Sequence, residues 1–456
     1  MSETLDLSVL GTGSVIAPAG HGKTYSIGKT AHDHPELRIL ALTHTNAGVA
    51  ALKRHSQNGS RSFRVETISS FCLRIARAFP GRAGWDESTF DLSLIVPAAL
   101  RALSSPTVLS VVASGFDLII VDEYQDCSPG QAAIIDSLAV LVQTVIVGDP
   151  LQAIYDFGAD GAIKWTGETS VFPQVGELTT PHRWRATNPA LGEWLRDTRS
   201  RLLTGQNPDV KAVGCPVILD WKASDVMQRK LHKYLTPGVT TAIITPDSRN
   251  THALSTVARS YGGRLRVAEA ADFNTVRHVT KKIDDATNRA EILVILIDFL
   301  ASVQTRIKTS VVNTLRGHLI STGTVGRSRN VIVTTANQYL MDGELASALT
   351  FVQKLIEVGD AIYRPDSQSL LVRAIASQVS DPDRSLEECA QNLIDTMHHR
   401  TSWVPKGNIV GTTLRLKGLE FDRVVIMDPI SIHDQKHLYV ALTRPSRELI
   451  LVFNEN

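Results

Sequence analysis

Cysteine is scarce in this chain. Its four thiols, Cys72, Cys127, Cys215 and Cys389, are scattered through 456 residues without a CxxC pair or a histidine at metal spacing. That argues against a disulfide framework, a zinc site and an iron–sulfur cluster, and favours reduced structural thiols. Net charge is equally scarce: 47 Lys and Arg stand against 46 Asp and Glu. A globally basic nucleic-acid binder is excluded, so any polyanion must bind in a local groove. Long apolar runs are missing too. Ile292–Leu300 is too short to cross a bilayer. The N-terminal MSETLDLSVLGTG has no basic region leading into an apolar stretch, so it does not read as a signal peptide. A soluble, cytoplasmic protein without membrane contact is the expectation. Low-complexity tracts and internal repeats are absent. With 43% hydrophobic residues, the chain can fill real cores, and its length predicts two core domains with insertions.

Short apolar runs alternate with helical patterns through the first half. Val9–Ile16, Arg38–Leu42, Phe116–Val121 and Thr144–Val147 read as buried strands, each ending in a polar cluster. This rhythm predicts an α/β fold with a parallel sheet, whose ligands sit at the C-terminal ends of the strands. It returns at Val239–Ile244, Asn408–Thr412, Arg423–Met427 and Leu449–Phe453. The predicted first domain is residues 1–175, with a short insertion at about 73–114. The second is discontinuous, 176–271 and 405–456. Residues 272–404 have a helical texture, with Leu345, Leu349, Val352, Leu355 and Ile356 on one helical face. They predict a helical insertion.

Ala17-Pro-Ala-Gly-His-Gly-Lys-Thr24 follows a strand and opens a helix, the context a P-loop needs. Backbone N–H groups of Ala19, Gly20, His21 and Gly22 can face phosphates together with the helix N-terminus. Lys23 adds a point charge for the β and γ oxygens, and Thr24 a hydroxyl for Mg²⁺. A chance GKT in a loop is the competing reading. The apolar strand Leu118–Val121 delivers Asp122 and Glu123 at its end, about a hundred residues on. Asp122 can hold Mg²⁺ through water and Glu123 can polarise an attacking water. The two elements together point to ATP hydrolysis.

From DEYQD (residues 122–126) the sequence resembles the superfamily 1 helicases of the UvrD/Rep/PcrA group, in compact form. LALTHTNAGVAALKRH (40–55) resembles their first DNA-contact motif and VETISSFC (65–72) the next. VIVGDPLQAIYDFGAD (145–160) resembles motif III, and ELTTPHRWR (177–185) is a looser match to motif IV. GTTLRLKGLEFDRVVIMD (411–428) resembles motif V, and HLYVALTRPSRELILVF (437–453) motif VI. The resemblance covers the whole chain in family order. It implies two RecA-like P-loop domains with ATP and Mg²⁺ between them. It also implies that Gln152 senses the γ-phosphate, that Arg183 and Arg444 reach it as cationic arms, and that Glu420 meets the ribose. Single-stranded DNA would run past His44, Thr45, Asn46, Tyr155 and Phe157, with 3′→5′ polarity. A surface ion pair is the plain alternative for Arg183, and a core aromatic for Phe157.

The chain departs from the family in places. No glutamine precedes the P-loop to read adenine. His182 stands where a tyrosine usually stacks on the base. His44 replaces a phenylalanine, Ser69 and Leu414 replace histidines, and Gly158 an arginine.

The expected activity is an ATP-dependent 3′→5′ helicase or translocase acting on single-stranded and tailed double-stranded DNA. The alternative is a DNA-gated ATPase subunit that regulates a partner nuclease or ATPase, such as the GajB-like subunit of a Gabija-type anti-phage system. That likeness lies in size and trimming. A phosphotransferase would not need Gln152, Arg183, Glu420 and Arg444 in this order.

Overall fold

The computed structural model describes residues 5–453, apart from 57–61, 87–91, 156–162, 164–170, 212–214, 222–230, 247–250, 262–263, 269–272 and 401–406. The chain forms two compact units, Met1–Ile218 with Ile432–Leu449, and Leu219–Ser431 with Ile450–Asn456.

The first unit is built on six strands: β1 (Gly13–Ile16), β2 (Ile39–Thr43), β3 (Phe63–Thr67), β4 (Leu118–Asp122), β5 (Gln143–Gly148) and β6 (Gln174–Glu177). They lie in the order β3-β2-β4-β5-β1-β6, and every neighbouring pair is parallel. β1, β2 and β4 are buried at every position. Alternate side chains feed two cores, as a strand's two-residue period requires. Val15, Ile39, Ala41 and Ile120 pack on one face, with Ile27 and Leu52 of α1 (Lys23–Asp33) and α2 (Asn46–His55). Ile16, Leu40, Leu42, Ile119 and Val121 pack on the other. There they meet α3 (Ile68–Ala78), α4 (Pro80–Ala83), α5 (Ile95–Leu103) and α6 (Pro106–Ala113), with α7 (Pro129–Ala139). The α3–α6 group, between β3 and β4, occupies the region where the sequence predicted a short insertion.

After β6 come α8 (His182–Arg185) and α9 (Pro189–Leu203). Both lie in the first unit, where this segment hydrogen-bonds to 443–447 of the same unit.

The second sheet contains β7 (Ile218–Trp221), β8 (Thr241–Thr245), β9 (Arg266–Val267), β10 (Ile409–Thr412), β11 (Phe421–Met427) and β12 (Pro445–Phe453). Their order is β7-β12-β11-β8-β10-β9, with β11–β8, β8–β10 and β10–β9 parallel. The expected α/β class with two parallel-stranded sheets is therefore the observed one. α10 (Thr251–Ser260) precedes a block of seven helices between β9 and β10: α11 (Asn274–Asp284), α12 (Arg289–Ala301), α13 (Ser310–Thr322), α14 (Val331–Asp342), α15 (Leu345–Val358), α16 (Pro365–Ser380) and α17 (Leu386–Arg400). The block has its own core, including Leu293, Leu296, Phe351, Leu355 and Leu371. On α15 the fully buried stripe is Ala348, Phe351, Val352 and Leu355, while Leu349 and Ile356 flank it. The apolar face is rotated slightly from the one read in sequence, because Phe351 has the larger surface to bury.

α18 (Thr413–Leu416) and α19 (Gln435–Leu442) complete the described helices. All four cysteines are free thiols, three of them buried. Among the described residues no single helix is long and apolar enough to cross a membrane.

Candidate nucleotide site

β1 is flanked by β5 and β6, and β4 by β2 and β5. The C-terminal ends of β1, β4 and β5 thus open side by side, delivering the P-loop, Asp122–Glu123 and Gly148–Asp149 to one place. Ala17 N–H donates to Gly148 O at 2.7 Å, tying the loop's start to β5. Gly20 and Gly22 have φ of +73° and +86°, in the region L side chains avoid. Close approach makes the same demand. A Cβ at Gly20 would lie 2.7 Å from the Trp184 ring, and one at Gly22 3.1 Å from His182. Arg183 N–H also donates to Gly20 O at 2.9 Å. The His182-Arg183-Trp184 segment therefore lies directly on the phosphate loop. His21 is buried, with its Nδ1 2.8 Å from Ala19 O. Burial lowers its pKa, which favours a neutral ring.

Lys23 begins α1 and pairs with both carboxylates, with Asp122 Oδ1 at 3.0 Å and with Glu123. Burial works against the ammonium, but the facing Asp122 and Glu123 outweigh it and hold its pKa above the ordinary value. Burial pushes Asp122 upward against the pull of Lys23. Glu123 has φ of +55°, which costs roughly 1–3 kcal/mol for a non-glycine residue. Its side chain takes a hydrogen bond from Gln125 Nε2. The donor chemistry fits Mg²⁺, which takes one or two protein oxygens and otherwise phosphates and water. Asp122 closes a buried strand and Thr24 stands in the first turn of α1, half-buried. Among the described residues no cluster of three or more His, Cys, Asp or Glu offers a self-sufficient metal cage.

Two further residues lock the carboxylate end to β5. Gln125 Oε1 accepts from Asp149 N–H at 3.2 Å while its amide holds Glu123. Asp149, fully buried, caps the Pro150–Gln152 turn by accepting from Leu151 N–H at 3.1 Å. That turn carries Gln152, itself buried. Gln125 and Asp149 lie inside the quoted motifs but were given no role from sequence.

The two arginines also lie in this unit. Arg183 Nη1 donates to Thr443 O at 2.6 Å. Arg444, 3% exposed, donates from Nε to Val440 O at 2.8 Å and from Nη2 to Thr443 Oγ1 at 3.0 Å. Glu420 belongs to the second unit, exposed just before β11. On the other predicted surface, Thr45 caps α2 by accepting from Gly48 N–H, and Asn46 opens that helix. His44 is half-buried with Nε2 3.6 Å from Cys127 Sγ. Tyr155 is 42% exposed just beyond the Gln152 turn. Phe157 lies outside the described residues.

The fold and this site define a P-loop α/β protein with a paired-carboxylate strand. Residues 82–163 match the sequence model of the UvrD/REP helicase N-terminal domain. That stretch holds both DEYQD and the Gln152 turn, and it is similar to superfamily 1 helicases. Among solved structures, the chain is similar to the Pif1 helicase from Candida albicans at 10% identity and a TM-score of 0.39, over 98% of this chain and 92% of that one. No curated protein matches the chain.

Proposed function

We propose that the chain is an ATP-driven DNA helicase or translocase of superfamily 1, moving 3′→5′ on single-stranded DNA. The observation that carries this is the Lys23–Asp122–Glu123 cluster under a phosphate loop whose glycines are roofed by His182-Arg183-Trp184. A simple nucleotide binder has no need for a carboxylate held in strained backbone beside the P-loop lysine.

The chemistry follows from the charges. Lys23 pairs with both Asp122 and Glu123. ATP offers that ammonium its β and γ oxygens, which frees Glu123 to take a proton from the attacking water. The water oxygen bonds to the γ-phosphorus as the bond to the β-bridging oxygen breaks, giving ADP and phosphate. Mg²⁺ held by Thr24, Asp122 and the phosphates would draw off phosphoryl charge. Ala19, Gly20, His21 and Gly22 bind phosphate through backbone N–H groups, Gln152 reports the γ-phosphate, and Arg183 and Arg444 stabilise spreading charge. His182 and Glu420 contact base and ribose. His44, Thr45, Asn46, Tyr155 and Phe157 form the DNA track. Residues 176–271 and 405–456 act as the second motor domain, a cytoplasmic setting suits the chemistry, and a nuclease or ATPase partner is the alternative context.

Lys23→Ala should abolish nucleotide binding and turnover together. Glu123→Gln should bind ATP while turnover falls about 100-fold or more, about 100-fold being the lower end of a general base's contribution. Filter binding and phosphate release, measured separately, check this; undiminished turnover in Glu123→Gln removes that residue from the chemistry.

A further inference from the structure

Asp149 sits where several pieces of the nucleotide site converge, and one of its partners has no role in the scheme above. Arg199, on α9, reaches Asp149 Oδ1 with Nη2 at 3.2 Å and Glu177 with Nη1 at 3.5 Å. Its side chain is only 13% exposed. Asp149 in turn closes the Gln152 turn and takes Gln125's amide oxygen on its own N–H.

One carboxylate with no exposure therefore joins α9, the carboxylate strand and the Gln152 turn. A buried charge is costly unless it is paired and hydrogen-bonded. Apolar packing would fasten α9 to the sheet at lower cost. The polar junction does something apolar packing does not: it fixes directions, because each hydrogen bond sets an angle as well as a distance.

We propose that Arg199 is a positioning residue for ATP hydrolysis, which acts through Asp149 to hold the Gln152 turn in register with the carboxylate strand. The proposal rests on the ATPase reading above. Arg199 restrains the carboxylate from the α9 side, and Asp149 passes that restraint to the Gln152 turn through Leu151 and to Gln125 through its own N–H. A misplacement of about 1 Å at such a site can cost about 100-fold in rate.

The test uses the full chain with Arg199→Lys, Arg199→Met and Asp149→Asn, and the Arg199→Met/Asp149→Asn double variant. ATP affinity, kcat and KM with a single-stranded oligonucleotide, and the thermal midpoint are measured for each. Arg199→Met should bind ATP within about threefold yet lose about tenfold in kcat. Arg199→Lys keeps the charge without the fork and should fall between wild type and Arg199→Met. The double variant should be no slower than the slower single one, since both act through one carboxylate. Unchanged kcat in Arg199→Met and Arg199→Lys overturns the positioning role, as does a kcat loss that merely follows the unfolded fraction. A wild-type chain that does not hydrolyse ATP overturns the ATPase reading, and this proposal with it.

Discussion

Lys23 has two alternatives open to it, carboxylate or phosphate, and its surroundings make both strong. The ion pairs with Asp122 and Glu123 keep it charged despite burial. In the proposed scheme the same pairs occupy Glu123 until a phosphate competes. Glu123 is also held from behind by Gln125, whose side chain leaves no room above Gly148: a Cβ there would overlap Gln125 Oε1. Gln125 is buried and anchored at both ends, so it cannot swing aside. Gly148→Ala should therefore destabilise the chain by roughly 1–3 kcal/mol, the usual cost of overpacking, and reduce ATP turnover by displacing Glu123. Urea unfolding and phosphate release measure the two effects. An unchanged midpoint would mean that Gln125 is not clamped.

The segment α8–α9 and the stretch after α19 meet along a seam of side-chain to backbone hydrogen bonds. Arg183 donates to Thr443 O, Trp184 Nε1 to Pro445 O at 2.7 Å, and Asn188 Nδ2 to Arg447 O at 2.8 Å. Trp184 is fully buried, and its ring also blocks any side chain at Gly20. The seam therefore holds both arginines relative to the P-loop. Arg444 keeps Nε and Nη2 on its own helix end, where carbonyl oxygens favour a cation. In the proposed scheme its task arises only as charge develops on the phosphoryl oxygens. Arg444→Ala should lower kcat by about 100-fold or more while ATP affinity changes far less. Arg183→Ala should lower kcat and also the thermal midpoint, since it removes a tie across the seam. Turnover, nucleotide affinity and melting, measured on both variants, separate these effects. Wild-type kcat in both would remove the arginines from the site.

Near-neutral overall charge means that DNA would have to be held by local features, and the proposed track includes the exposed Tyr155 beside the Gln152 turn. Base stacking on an aromatic contributes roughly 1–3 kcal/mol whatever the sequence. Single-stranded DNA should stimulate ATP turnover, and the stimulation should fall as salt rises, because phosphate contacts release counterions. Tyr155→Ala should blunt the stimulation and spare basal hydrolysis. Unwinding should favour a 3′ tail over a 5′ tail or a blunt end. Turnover at several salt concentrations and unwinding of the three substrates check this; a preference for 5′ tails would reverse the polarity.

The buried strands, the P-loop and the acid pair were legible from the amino acids alone. Each is a local signal: an apolar run with a two-residue period, glycines where backbone must bend toward phosphate, carboxylates at a strand's end. Local signals survive without knowledge of the rest of the chain. The seam between α8–α9 and 443–447 was not legible in this way, since its partners lie more than two hundred residues apart in sequence. Nor was the pairing of Arg199, an arginine in an ordinary amphipathic helix, with the buried Asp149. Residue type and spacing decide which chemistry is available. Which side chains share a buried carboxylate is decided by packing, because burial and hydrogen-bond geometry come into being only once the chain has closed on itself.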